Sequence, residues 1–208
     1  MPPMRGASAG AMIASLGGKL YAFGGDDGRS VEANAEVFDP DLRQWRPLLP
    51  MGTRRSRHSV VVLDDLIYVV GGHDGFTAVS SAEVFDPLTG TWTLLPAMAQ
   101  CRAGHTAVAL PGKVVVVGGN DSSDILATAE MYSMETGQWE LLPPMTTKRT
   151  GHTAVASADR IFVVGGQDGK RALKSAEVYD FATGSWMALP DMQTPRVGHT
   201  AVILGEDG

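Results

Sequence analysis

Cysteine is almost absent from this chain, which has one thiol, Cys101, in 208 residues. A single cysteine excludes an internal disulfide framework and fits a reducing compartment. Long apolar runs are also missing: no stretch approaches the 18 residues of a membrane-spanning helix, and the start Met-Pro-Pro-Met-Arg holds no apolar signal core. These absences predict a cytoplasmic protein, with the nucleus as an alternative, and no membrane partner.

Positive charge is scarce as well. The chain has 17 lysines and arginines against 23 aspartates and glutamates, which gives a formal net charge of -6. Proteins that bind DNA or RNA normally show a basic excess that neutralises phosphates. We therefore expect no nucleic-acid partner. The hydrophobic fraction of 44% fits a folded core rather than a disordered chain.

What the chain does contain is an internal repeat of 47 residues without insertions or deletions. Each copy has an apolar run that ends in two glycines, and a tryptophan about 20 residues later. These structural positions are the pairs Gly24-Gly25, Gly71-Gly72, Gly118-Gly119 and Gly165-Gly166, and the tryptophans Trp45, Trp92, Trp139 and Trp186.

The apolar run predicts a strand that is buried on both faces, because a strand with one exposed face would alternate with polar residues. Leu66 to Val70, directly before Gly71, is the clearest copy. Each repeat holds four strand-sized segments, which we label A to D, and tight turns such as Asp64-Asp65 separate A from B. Small sheets that pack face to face in a radial array would bury all of these strands. The pattern predicts an all-β propeller.

Four hydrophobic positions, a glycine pair, a tyrosine or phenylalanine and then a tryptophan resemble the kelch repeat. The resemblance covers nearly the whole chain and implies one kelch propeller module over residues 1–208. Four complete four-stranded blades are predicted, at about 5–51, 52–98, 99–145 and 146–192, and residues 196–204 are predicted to begin a fifth blade with its strand A.

The number of blades in the closed ring stays open at this point. Kelch propellers of this appearance usually close with about six blades, which would make the four blades part of a circle. Closure on four blades is the alternative, with residues 199–204 replacing 9–16 at the inner edge of the first blade. An open arc would expose apolar blade faces, and we then expect self-association.

Several repeated residues invite a chemical role that the fold explains better. The glycine pairs lack the spacing of a phosphate-binding loop. His58, His105, His152 and His199 recur at one position, but a hydrogen-bonded structural role is favoured over a metal site. The arginines before strand A and the glutamates of strand C are expected to form buried pairs. We expect no catalytic residue, no metal and no cofactor.

Positions that vary between copies are free to specialise. They lie in the D–A connections between blades and in the B–C loops after the glycine pairs, which share one rim because the strands alternate in direction. Resemblance to peptide-binding kelch propellers implies that these positions contact a partner. The candidates are Ser56, Arg57, His73, Phe76, Asn120, Ser122, Gln167 and Lys170.

The resulting interpretation is a protein-interaction module that binds a peptide or protein, and the many arginines of that rim favour an acidic segment. Kelch domains of this appearance often serve as substrate receptors in ubiquitin-ligase adaptors, so the resemblance implies that role as well. A free-standing scaffold or a cytoskeletal binder is equally compatible with the resemblance. The alternative from another class is a propeller enzyme, or a sensor of a small molecule or metal, that uses a central channel.

Overall fold

The structure is a computed structural model that describes residues 9–203. These residues form sixteen strands and no helix, as expected for an all-β chain. The strands make four antiparallel sheets of four, and in each sheet the order in space is the order in sequence. The chain divides into two compact units, the first ending at Ala103 and the second beginning at Gly104. Each unit holds two sheets.

The first unit contains blade 1 (β1–β4) and blade 2 (β5–β8). Its strands are β1 Met12–Leu16, β2 Lys19–Phe23, β3 Ala35–Asp39, β4 Gln44–Pro47, β5 Ser59–Leu63, β6 Leu66–Val70, β7 Ala82–Asp86 and β8 Thr91–Leu95.

The second unit contains blade 3 (β9–β12) and blade 4 (β13–β16). Its strands are β9 Thr106–Leu110, β10 Lys113–Val117, β11 Ala129–Ser133, β12 Gln138–Leu142, β13 Thr153–Ser157, β14 Arg160–Val164, β15 Ala176–Asp180 and β16 Ser185–Leu189.

The B strands are the most deeply buried elements. Ile67 and Val69 of β6 are completely inaccessible, and all four valines of β10 are at most 1% exposed. Each B strand pairs with A on one side and C on the other, and its alternate side chains enter the spaces on the two faces of the sheet. The predicted two-sided burial of strand B is confirmed.

Tight turns join the A and B strands where the sequence predicts them. Asp64 and Asp65 both have positive φ, at 50° and 59°, which is the backbone twist that a two-residue hairpin needs. Both units have one hydrophobic cluster between their two blades, around Ile67 and Val69 in the first unit and around Val115 and Val163 in the second.

The predicted fifth strand A is not present among the described residues, because residues 196–203 form no strand. The segment nevertheless begins as the earlier copies do: the amide of Gly166 donates to the carbonyl of Arg196 at 2.8 Å, and the amide of Arg196 donates to the carbonyl of Leu173 at 3.1 Å. A strand A becomes regular by pairing with the strand B that follows it. No such strand B follows within the part of the chain that the structure describes.

Candidate functional site

The glycine pairs are required by close packing at the entry to each blade. A Cβ atom on Gly24 would lie 2.2 Å from the carbonyl oxygen of Arg55, and one on Gly72 would lie 2.8 Å from the Cβ of His58. Both glycines also have positive φ. The first glycine of the pair thus lies against the next D–A connection, and the second lies against the residues that precede strand A of its own blade, which is a structural role.

Each tryptophan packs on the aromatic residue of the neighbouring strand C, and Trp92 and Trp186 also tie their blade to the preceding one. Trp92 lies 5.0 Å from Phe85 between ring centroids, and its indole N–H donates to the carbonyl of Leu49 at 2.8 Å. Trp186 repeats the arrangement with Tyr179 at 5.1 Å and the carbonyl of Pro143 at 2.8 Å. These contacts use the large apolar area and the single donor of the indole in packing.

Arg55 is fully buried and belongs to the architecture of blade 2. Its guanidinium donates to the carbonyls of Gly71 and Ser81, at 2.7 and 2.9 Å, and to the carboxylate of Glu83 at 2.8 Å. The same carboxylate accepts the amides of Gly52 and Thr53 in the connection from blade 1. The pair thus fastens the incoming connection to strand C.

Blade 4 repeats this arrangement with Arg149 and Glu177, which are 2.8 Å apart. Burial acts to raise the pKa of Glu177, but the hydrogen bonds from Arg149 and from the amides of Thr146 and Thr147 bring that pKa below its ordinary value. The carboxylate is therefore ionised and paired. Such a pair is costly to break on one side, because the remaining charge is left buried.

Burial lowers the number of arginines that the loop rim offers to a partner. Arg55, Arg102 and Arg149 are completely inaccessible and are not available to a partner. Arg196, at the same repeat position, is exposed. The other exposed cations of these loops are Arg29, Arg54 and Arg57 in the first unit, and Lys148, Lys170, Arg171 and Lys174 in the second.

The histidines that follow these arginines are packing residues. His58 is 2% exposed, and burial, followed by the charge of Arg55, lowers its pKa to about 3. His152 has the same position and a pKa of about 3, again because of burial and then Arg149. Neither ring nitrogen of His58 has a hydrogen-bond partner among residues 9–203, so the predicted hydrogen-bonded role is wrong for this residue.

The D–A connection and the B–C loop of each blade are joined by backbone hydrogen bonds. In blade 2, Ser56 and His73 exchange two such bonds, at 3.0 and 2.8 Å. In blade 4, Thr150 and Gln167 do the same at 3.0 and 2.9 Å. The predicted contact positions of one blade therefore lie side by side.

The eight predicted contact residues differ in burial: one is buried, two are half-buried and five are exposed. Ser56 is buried, whereas Arg57 is exposed. His73 is half-buried, and its Nδ1 accepts the amide of Gly75 at 3.1 Å. Phe76 is 92% exposed at the tip of the same loop. In the second unit, Asn120 is half-buried and accepts the amide of Ser122 at 3.3 Å, and Ser122, Gln167 and Lys170 are exposed.

A recurring aspartate holds the B–C loop of each copy of the repeat. The second residue after each glycine pair is aspartate, and its Oδ1 accepts two backbone amides of its own loop. In blade 2, Asp74 accepts Phe76 and Thr77, both at 2.8 Å. The hydrogen bonds from these amides lower the pKa of Asp74. Asp27, Asp121 and Asp168 are bound in the same way.

Arg57 is unusual because of its backbone. The corresponding residues of the other four copies are glycines with φ between 62° and 70°, and Arg57 adopts φ 53° in their place. A residue with a side chain pays roughly 1–2 kcal/mol for this left-handed conformation. The guanidinium makes no hydrogen bond or ion pair with any described residue. The sequence shows the substitution, but only the structure shows its cost.

Arg57 borders an open pocket of about 630 Å³ within the first unit. Six of its lining residues were absent from the predicted contact set. The pocket is lined by Ala9, Gly10, Asp26, Gly28, Val31, Ser56, Arg57, His73 and Gly75. A signal for Asp26 was available, since it occupies the repeat position of His73 and Asn120.

Residues 9–203 contain neither a cluster of metal ligands nor a membrane-spanning helix. No group of three or more histidine, cysteine, aspartate or glutamate side chains is arranged to hold a metal ion. No helix within the same range has the length and apolar character needed to cross a membrane.

Comparison with known proteins decides the family. The sequence profile of the kelch motif matches four consecutive segments, at residues 8–52, 54–99, 101–146 and 148–193. The chain belongs to the kelch-repeat family. These segments coincide with the four blades, so the predicted kelch-type propeller fold is confirmed.

Two individual similarities accompany this kelch assignment. The solved structure of YjhT superposes with a TM-score of 0.81 at 17% identity, covering 93% of this chain and 73% of that one, which shows a shared fold. The influenza virus NS1A-binding protein homolog of Mus musculus is 38% identical over 63 residues. That match covers 30% of this chain, and the chain spans about a tenth of the length of that relative.

Proposed function

We propose that this kelch module binds a protein partner through the D–A connections and B–C loops, and that the partner presents an acidic segment. The single observation that supports this most strongly is Arg57. It is an exposed, unpaired arginine held in a backbone conformation that the other copies assign to glycine. A side chain retained at a cost in stability is typical of functional sites.

The surrounding loop has the features of an interface centre. Phe76 lies in a loop that is held by two hydrogen bonds from backbone amides to Asp74. Its exposed aromatic ring therefore projects from a loop of defined conformation. Aromatic residues and arginine dominate the energetics of protein interfaces. The name of the mouse relative, an NS1A-binding protein homolog, is consistent with a role in protein binding.

Two finer points are also part of the proposal. The first is that the module serves, in the cytoplasm, as the substrate receptor of a ubiquitin ligase, which is one of the roles that the kelch resemblance implies. The exposed Lys170 in the second unit is a further acidic-segment contact, since it lies in the loop of blade 4 that corresponds to the loop carrying Phe76.

The test uses a fluorescein-labelled, glutamate-rich peptide and measures its binding by fluorescence anisotropy at increasing salt concentration. We expect Arg57→Glu to reduce affinity by about tenfold, and the wild-type affinity to fall as salt is raised. Arg43→Glu is the matched control. Arg43 is also exposed and also has positive φ, 51°, but it lies in the turn between β3 and β4, at the other end of the strands.

Equal losses in the two variants would show a non-specific effect of net charge and would contradict the proposal. Full affinity in Arg57→Glu would do so more directly. Ubiquitin-ligase membership is tested separately, by asking whether this protein, expressed in cells, co-purifies with a ligase subunit.

A further inference from the structure

The pocket of the first unit holds two opposite charges that do not neutralise each other. Asp26 lies on the blade 1 side and Arg57 on the blade 2 side, and both line the pocket. No ion pair joins them, and neither side chain forms an ion pair with another described residue. Oppositely charged side chains in one cleft normally gain energy by pairing. Their separation calls for a structural reason.

The reason lies in how each residue is held. Asp26 exchanges two backbone hydrogen bonds with Ala9, both at 2.8 Å, and its Oδ1 accepts the amide of Gly28 at 2.8 Å. Arg57 is held by its amide, which donates to the carbonyl of Gly10 at 3.2 Å. The backbones of the two residues are therefore anchored in different loops, and no donor among residues 9–203 forms a hydrogen bond with the Oδ2 of Asp26.

The negative charge of Asp26 is not needed to form its loop. His73 and Asn120 occupy the same repeat position and accept the amide two residues later in the same way, at 3.1 and 3.3 Å, without a carboxylate. A neutral acceptor therefore suffices for the turn. The charge at Asp26 is an additional feature of this one blade, and it faces the same pocket as the additional charge at Arg57.

We propose that this pocket recognises a bipolar segment, in which an acidic side chain pairs with Arg57 and a neighbouring lysine or arginine pairs with Asp26. The inference rests on the proposed function and narrows it: among acidic segments, the module prefers one with a basic neighbour to one that is acidic throughout. A purely acidic segment would place a like charge beside Asp26. Such repulsion of the wrong partner contributes to specificity together with attraction of the right one.

The probe is a synthetic array of peptides with one fixed glutamate, in which each neighbouring position is lysine, glutamine or glutamate in turn. We expect the strongest binding where lysine stands close to the glutamate. Asp26→Asn is the informative variant, because an amide oxygen can still accept the Gly28 amide, as Asn120 does in its own loop.

We expect Asp26→Asn to weaken the best lysine-containing peptide about fivefold and to leave its glutamine counterpart unchanged. Asp26→Lys should reverse the preference toward glutamate at the lysine position. A variant that weakens the lysine and glutamine peptides equally would overturn the inference.

Arg57→Gly separates this inference from the proposed function. If it weakens every peptide while Asp26→Asn weakens none, the module binds acidic segments and the bipolar preference is wrong. If Arg57→Gly changes no peptide, or if no peptide binds above background, both proposals are wrong. Thermal unfolding of each variant confirms that the binding data come from folded protein.

Discussion

Replacing Arg57 with glycine should stabilise the protein while weakening its binding. The left-handed backbone at this position costs an arginine roughly 1–2 kcal/mol, a cost that glycine does not carry. Glycine in turn makes the unfolded chain more flexible, which costs about 0.5–1 kcal/mol. Because the exposed side chain of Arg57 makes no hydrogen bond or ion pair, little else is lost. The net expectation is a gain of about 0.5–1 kcal/mol.

The mirror-image control is the same repeat position in the second unit, where glycine is already present. A Cβ on Gly104, which has φ 63°, would lie 2.6 Å from the Oγ1 of Thr150. Gly104→Ala therefore adds a steric clash to the backbone strain, and we expect a loss of about 2 kcal/mol or more. The two substitutions should move stability in opposite directions.

Urea unfolding followed by tryptophan fluorescence measures both effects, with thermal unfolding as a second method. A gain near 1 kcal/mol corresponds to a rise in Tm of about 2–4 °C for a chain of this size. A clear loss of stability in Arg57→Gly would refute the reasoning, because it would mean that the arginine makes contacts that outweigh its strain. Such a result would also remove the main argument that Arg57 is kept for binding.

Three further predictions concern the interior. Arg149→Leu should lower the free energy of unfolding in urea by about 3–5 kcal/mol, since it leaves the Glu177 carboxylate buried without its partner. The double variant Arg149→Leu/Glu177→Gln should recover part of this loss. Equal losses in the two variants would argue against a coupled pair. His58 has a folded pKa of about 3, below the ordinary 6.5, so the unfolded state binds its proton first and stability is lost as pH falls from about 6.5 toward 3. This histidine alone should lower the free energy of unfolding by about 2 kcal/mol between pH 7 and pH 5. His58→Gln should reduce the pH dependence of stability by that amount. An unchanged pH profile of stability in this variant would contradict the neutral buried state of His58. Val69→Asp should abolish folding, seen as loss of the circular dichroism of the folded chain, because it puts a charge in a completely inaccessible site; a folded variant with an unchanged Tm would refute the burial of β6.

Much of the fold was predictable because its causes are local and repeat every 47 residues. An apolar run followed by two glycines predicts strand B and its end, and the pair Asp64-Asp65 predicts the hairpin turn that the structure contains. The kelch resemblance followed from the same local pattern.

The fate of individual charged residues was less predictable. Arg55 and Arg57 are two positions apart, yet one is completely buried and the other exposed. The acceptors of Arg55 lie 16 to 28 residues further along the chain, on Gly71, Ser81 and Glu83, and are brought to it only when blade 2 folds. The sequence count of arginines on one rim could not separate these two environments.

The sequence by itself determined the repeat, the strand and turn positions, and the family, because each depends on side-chain pattern and backbone preference within a few residues. Only the tertiary structure decided that Arg57 has a strained backbone and a side chain without a hydrogen bond or ion pair, and that Asp26 lines the same pocket. Residues 26 and 57 come from different blades, and each is held by its own backbone hydrogen bonds. Proximity across blades depends on how the sheets of the first unit pack, which no local pattern specifies.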